Sequence, residues 1–175
     1  MIQNQVTENI CSRRSIRQYL DKPIPAEFIE TLLECARFAP SGLNNQPWRF
    51  IVIDDNNLRA EISPLTHNSN IILSAPLLIS VFLDTFSSYH REKDLMAIGA
   101  SVQNILLAAH SLGLGAVWLG EILKNKEKVS KILNAPDYFE LAAVIAIGYP
   151  AVSSSDEKAE RKPPNEIVFK NSYSF

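Results

Sequence analysis

Leu77-Leu78-Ile79-Ser80-Val81-Phe82 is apolar at five of six positions, and Leu141-Ala142-Ala143-Val144-Ile145-Ala146-Ile147 is apolar throughout. A strand with one wet face alternates apolar and polar residues, so runs this uniform belong to strands covered on both faces. The rest of the chain must supply the covers. Phe28, Ile29, Leu32, Leu33 and Ala36 recur at helical spacing behind Pro25, whose missing N–H costs nothing at a helix start. Ala97, Ile98, Ser101, Val102, Ile105, Leu106 and Ala109 mark a longer central helix of small and branched residues that ends at Gly113. Residues 49–53 read as a strand running into the turn Asp54-Asp55-Asn56-Asn57, followed by a weak helix over 58–62. A short helix precedes Arg13, residues 116–119 read as a further strand, and 124–133 as a charged surface helix. The polar run 153–158 reads as a loop, and Ile167-Val168-Phe169 as part of an extended tail. Alternating strands and helices place helices over both faces of one sheet.

The 175 residues, 46% hydrophobic and 21% charged, suit one domain over 1–175 with a core that needs no metal or disulfide. A formal net charge of −2 argues against a nucleic-acid footprint spread over a face, so any anion site must be focused. Cys11 and Cys35 fall in different predicted helices without CxxC spacing, and the N-terminus lacks a basic segment followed by an apolar one. Free thiols in a cytoplasmic protein are the expectation. The apolar stretch 95–119 is broken by Gln103, Asn104, His110 and glycines, which suits a buried helix and strand better than a membrane span.

Side-chain catalysis has little to work with. Gly113-Leu114-Gly115 is not completed to GxGxxG, and no GxxxxGK[ST], HExxH or GxSxG occurs. His67, His90 and His110 are scattered, which favours surface or packing positions, and Asp54-Asp55 suits a turn. Such a chain favours chemistry that belongs to a bound cofactor. Arg13-Arg14-Ser15-Ile16-Arg17 places three guanidiniums within five residues. Guanidiniums present paired donors that fit phosphate oxygens; the alternative is a solvated helix end. Pro40 to Trp48 is an uncharged, amide-rich and aromatic segment, either facing a ligand or buried as a turn stitched by its own side chains.

Arg13-Arg14-Ser15-Ile16-Arg17-Gln18-Tyr19, Ala39-Pro40-Ser41 through Asn44, Gln46-Pro47-Trp48-Arg49-Phe50, and Ala75-Pro76 before a strand follow one another in order. Gly113-Leu114-Gly115, Trp118-Leu119-Gly120 and Arg161-Lys162-Pro163 complete the series. In these pieces and their spacing the chain resembles the FMN-dependent nitroreductase family. The resemblance implies an α+β fold, a three-layer α/β/α sandwich around a mixed, mainly antiparallel sheet. It also implies an intertwined homodimer with FMN at the subunit interface, the tail around Ile167 pairing with the partner's sheet.

By position, the resemblance gives Arg13 to the FMN phosphate, Arg14 and Ser15 to the ribityl and phosphate region, and Arg17 to the pyrimidine edge. Pro40, Ser41, Gly42 and Asn44 would come from the other subunit, and Gln46 would be a further cofactor contact. Asn68 would contact the ring, Gly120 and Glu121 would approach N5 and O4 through their backbone, and Arg161 with Lys162 would close over the phosphate. A cation at the pyrimidine edge favours negative charge there, which is physical support for Arg17 in that place. No protein side chain acts as catalyst and no metal is implied. The implied activity passes electrons from NAD(P)H through the flavin to a nitroaromatic or quinone acceptor in a ping-pong cycle. The alternatives are a flavoenzyme of the same fold with another reaction, such as dehalogenation, dehydrogenation or chemistry on flavin itself, and a non-catalytic FMN-binding module.

Three departures are visible. Ala159 stands where many relatives carry a second basic residue, leaving Lys158 or Lys162 to complete the phosphate end. Gly120-Glu121 inverts the acidic–glycine order of some relatives, and the short span from Phe82 to Asp94 implies an open substrate mouth. Tyr19, Phe50 and Trp118 are either walls of that mouth or packing residues.

Overall fold

The computed structural model describes residues 2–151 and 160–173. The predicted loop at 153–158 and the departure at Ala159 lie outside the described residues. In chain order the elements are α1 (Gln5–Ser12), α2 (Ala26–Arg37), β1 (Trp48–Ile53), α3 (Asn56–Ile62), α4 (Ser69–Ser74) and β2 (Leu77–Asp84). There follow α5 (Arg91–Ser111), β3 (Gly115–Leu119), α6 (Lys126–Ile132), β4 (Phe139–Gly148) and α7 (Pro164–Ile167).

The four strands form one antiparallel sheet in the order β1-β2-β4-β3. The apolar runs that opened the sequence reading, β2 and β4, are its two central strands, and their residues divide cleanly between two cores. Leu77, Ile79, Val81 and Leu83 of β2 with Ala143, Ile145 and Ile147 of β4 face Leu32 and Ala36 of α2 and Val102 and Ile105 of α5. Leu78 and Phe82 with Val144 and Ala146 face Ile62 of α3, Ile71 and Ile72 of α4, Ile122 and Val129. Between Val81 and Phe82 the register shifts, so that their partners are Ala143 and Leu141 and Ala142 is the extra residue. The bulge keeps both sets of side chains on their own sides. The result is the expected three-layer arrangement.

Local chemistry sets the ends of the elements. Asn4 caps α1 by accepting from Thr7 N at 2.9 Å, and Asp55 caps α3 by accepting from Asn57 N at 2.7 Å and Leu58 N at 2.9 Å. Gly113, at φ 72°, takes the left-handed turn that closes α5. α2 and α1 are both stitched to α5: Asn104 Nδ2 donates to Cys35 O at 2.9 Å and Asn9 Nδ2 to Leu107 O at 3.0 Å. Both cysteines are free thiols. Among the described residues no helix is long and apolar enough to cross a membrane.

One helix is new and two expectations change. α4 has no strong signal of its own in Ser69-Asn70-Ile71-Ile72-Leu73-Ser74, and it is the burial of Ile71 and Ile72 that makes it helical. The charged helix starts at Lys126, after a 3-10 turn over Glu121–Asn125. In the tail, Ile167 is the last residue of a short helix, not extended chain; Pro164 sits in its first turn, where a fixed φ is pre-set for a helix.

Candidate functional site

The arginine segment is seated on the edge of the sheet by two glycines. Gly115 of β3 and Gly148 of β4 are cross-strand partners. A Cβ at Gly115 would lie 2.6 Å from Ile16 Cβ, and one at Gly148 would lie 2.8 Å from Tyr19 Cδ1, so only hydrogen lets residues 16 and 19 lie this close to the strands. Ser15 pairs in parallel with Ala116, Ile16 N donates to Ala116 O at 3.1 Å, and Tyr19 pairs with Pro150. This bridge is the parallel component of an otherwise antiparallel sheet. The buried Tyr19 hydroxyl reaches Ile16 O at 2.5 Å and Ala146 O at 3.0 Å, and burial pushes its pKa upward. Tyr19 is therefore a packing residue, and Gly113-Leu114-Gly115 is a helix stop plus a seat, not a fragment of a nucleotide loop.

So fixed, the segment gathers positive charge. The half-buried Arg13 guanidinium is held below its ordinary range by burial, then by Arg161 and by Arg14, both of like sign. Two ends of the sequence meet here. Arg13 has no side-chain hydrogen bond among the described residues, while Arg14 folds back onto Cys11 O at 2.8 Å and Arg17 donates to Ser15 O at 3.2 Å. Arg161 and its chain neighbour Lys162 are both exposed. Arg13 and Arg14 also line a cavity of about 200 Å³ with His110, Gly113 and Pro150, and among the described residues no carboxylate lines it. Converging cations suit a phosphate.

The Pro40–Gln46 region forms a second group. Leu43, Asn44 and Gln46 take positive φ values of 55°, 54° and 48°, each costing roughly 1 kcal/mol or more for a residue with a Cβ. Ser41 Oγ accepts from Gln46 N at 3.0 Å, and Gln46 Nε2 donates to Asn44 O at 3.2 Å. The anchor is Asp94, fully buried at the start of α5. Its carboxylate accepts from Asn45 Nδ2 at 2.9 Å, Ser88 Oγ at 2.7 Å, Tyr89 N at 3.1 Å and His90 N at 3.3 Å. Burial alone would raise its pKa, but the hydrogen bonds from Ser88, Asn45, His90 and Tyr89 outweigh it and hold the carboxyl below its usual range. Tyr89 covers Gly42, where a Cβ would meet its hydroxyl at 1.9 Å. Pro40, Gly42 and Asn44 thus sit on a rigid, exposed hook whose backbone geometry is fixed from beneath.

Asn68, Gly120 and Glu121 make a third group. The Glu121 carboxylate accepts from Thr66 Oγ1 at 2.6 Å and His67 N at 3.1 Å and is ion-paired with Lys124. These contacts, Lys124 foremost, hold its pKa down to about 2. Asn68 N in turn donates to Thr66 Oγ1 at 3.1 Å. With its carboxylate committed to this loop, Glu121 leaves only backbone for a ligand. Trp118, two residues before Gly120, is 43% exposed, whereas Phe50 packs against the core.

The first two groups are anchored toward opposite ends of α5. Asn45 is tied to Asp94 near the start of α5, and Arg13 acts on His110 in its last turn. At 1.5 Å per residue these points are about 24 Å apart.

The nitroreductase family model matches residues 10–81 and 67–149. A protein of Methanothermobacter thermautotrophicus, assigned as an NADH dehydrogenase/NAD(P)H nitroreductase, is 37% identical over 150 residues, 83% of this chain and 78% of the relative. The chain belongs to the nitroreductase family. An FMN-complexed crystal structure of a protein assigned as a nitroreductase from Desulfovibrio desulfuricans superposes with a TM-score of 0.91. It is 39% identical, and the match covers 99% of this chain and 100% of that one. An iodotyrosine deiodinase of Thermotoga neapolitana is 28% identical over 181 residues, covering 89% of this chain and 91% of the deiodinase. Two features of this nitroreductase-family chain escaped the sequence reading. Asp94 drew no reading of its own, and His110 only that of a scattered surface or packing residue; no local pattern marks either.

Proposed function

We propose that this nitroreductase-family protein is an FMN-dependent oxidoreductase that passes electrons from NAD(P)H to a small acceptor of nitroaromatic or quinone type. The observation that carries the reading is the meeting of the half-buried Arg13 and the exposed Arg161, cations of like sign from opposite ends of the chain, beside a cavity that no carboxylate lines among the described residues. A dianionic phosphate neutralises that field and takes several charge-assisted hydrogen bonds at once. Names carried by relatives, NAD(P)H nitroreductase and FMN-complexed nitroreductase among them, support the same cofactor pair.

In this reading Arg13, Arg161 and Lys162 hold the phosphate, Arg14 and Ser15 the adjoining ribityl region, and Arg17 the pyrimidine edge. Asn68 and the backbone of Gly120 and Glu121 meet the ring, while Pro40, Ser41, Gly42, Asn44 and Gln46 close it from a second copy of the chain. The homodimer is supported by the 24 Å or so that separates the two groups along α5 in one copy. FMN, when bound, supplies the group that accepts hydride from a nicotinamide and returns electrons to an acceptor. The protein's part is to fix donor and acceptor against one surface in turn, and preset backbone such as the strained hook at 43–46 does this without reorganising. The 28% identity to a deiodinase keeps a second reading, reductive dehalogenation on the same scaffold.

The visible spectrum of the purified protein tests the cofactor, and NADH and NADPH oxidation with nitroaromatic, quinone, halophenol and no-acceptor controls tests the reaction. A yellow protein that turns over with at least one donor and a nitroaromatic or quinone is expected. A colourless protein that FMN does not load refutes the reading, and turnover with the halophenol alone replaces it with the second.

A further inference from the structure

His110 has a role that neither its sequence neighbours nor its place on α5 announces. Its Nε2 lies 2.8 Å from Ser12 Oγ, and the Ser12 hydroxyl sits 2.7 Å from Glu8 O. A hydroxyl has one hydrogen, and a backbone carbonyl can only accept it. Ser12 Oγ must therefore accept from His110, which places a hydrogen on Nε2 and leaves Nδ1 as the nitrogen that gains or loses the second proton. Nδ1 has no hydrogen-bond partner among the described residues. The ring lines the same small cavity as Arg13 and Arg14.

Resting on the flavin reading above, we propose that His110 is a further, proton-dependent ligand of the cofactor's phosphate end: it is neutral in the empty cavity and takes a proton from solvent as the phosphate enters. Burial, then Arg13, then Arg14 hold the empty-site imidazole below its ordinary range. The opposing influence is the C-terminal end of α5, which favours a cation modestly. A bound dianion reverses the balance: it neutralises the guanidiniums, favours the imidazolium, and accepts from its Nδ1–H. A raised pKa in the bound state means tighter binding as pH falls through the neutral range toward the free-site value.

The test is the affinity of the apoprotein for FMN and for riboflavin between pH 5.5 and 8.5, in wild type and His110→Gln. The ionisation of free FMN is common to both titrations, so the comparison isolates the imidazole and its coupling to the bound phosphate. The expected result is that wild type gains about tenfold over the variant toward low pH with FMN and nothing with riboflavin, the size of one charge-assisted hydrogen bond. Parallel FMN curves for the two proteins overturn the assignment. NMR titration of the wild-type imidazoles needs no variant to interpret folding: the His110 midpoint should rise with FMN and stay put with riboflavin, and a midpoint that FMN leaves unmoved also overturns it. FMN bound by neither protein at any pH removes the flavin reading and this assignment together.

Discussion

Replacing Gly115 with alanine tests whether the arginine segment is held in place by contact with bare backbone. The added Cβ would lie 2.6, 2.7 and 2.8 Å from Ile16 Cβ, Cγ2 and Cγ1. Carbon atoms are comfortable at 3.5–4.0 Å, so Ile16 must retreat by about 1 Å. That retreat stretches the 3.1 Å bond from Ile16 N to Ala116 O beyond useful length. Overpacking costs typically 1–3 kcal/mol and the lost hydrogen bond about 1, while removing glycine from a strand returns 0.5–1 kcal/mol. The balance is a destabilisation of roughly 1–3 kcal/mol, or about 2–10 °C in Tm for a chain of this size. Because the segment lies on the sheet edge, the strain lifts residues 13–17 more readily than it opens the core. FMN affinity should therefore fall by about tenfold or more, one unit of log K per 1.4 kcal/mol. Calorimetry and flavin titration read both effects. In an Ile16→Gly background every clashing side-chain atom is gone, so the penalty for Gly115→Ala should disappear. An equal penalty in both backgrounds, or undisturbed flavin binding alongside the loss of stability, would refute the argument.

Arg13→Ala should weaken FMN binding about tenfold to a hundredfold and leave riboflavin binding nearly unchanged, as fluorescence titration can measure; equal losses for both ligands would mean general damage. Asp94→Asn keeps an oxygen for Ser88 Oγ, Tyr89 N and His90 N only by turning its NH2 toward Asn45 Nδ2, itself a donor, and it removes the charge that strengthens all four hydrogen bonds. It should cost about 2–3 kcal/mol in urea melts and loosen the 41–46 hook. Glu121 has a folded pKa depressed to about 2, so its contribution is present above the ordinary carboxylate value and is lost as pH falls toward 2. Wild type should thus be more stable than Glu121→Gln at pH 7 and lose that advantage steadily below about pH 4.5; an advantage that grows on acidification would contradict the assigned contacts.

The layers were readable because their cause is local: runs with no polar face demand cover on both sides, and β2 and β4 are such runs. α4 was not readable, since six residues with two adjacent isoleucines carry little helical preference until the second core claims them. The arginine segment was visible as charge, but its meeting with Arg161 depends on a chain path through the whole fold. Gly115 was visible as half of an incomplete motif; its use as a seat for Ile16 exists only once β3 and the N-terminal segment lie side by side. Asp94 and His110 were hidden for the same reason, since their partners lie 49 and 98 positions away in the sequence.

The length of α5 sets the terms on which damaged copies could repair one another. If each site takes its phosphate end from one chain and its hook from the other, a copy with a broken phosphate end and a copy with a broken hook are each inactive as pure dimers. In a mixed dimer one site collects both lesions and the other collects none. Random reassortment of the two would restore roughly a quarter of all sites, the proportion that twofold symmetry dictates. In such a dimer each catalytic unit would be the shared property of two polypeptides, and a defect in one allele would be masked by a different defect in the other.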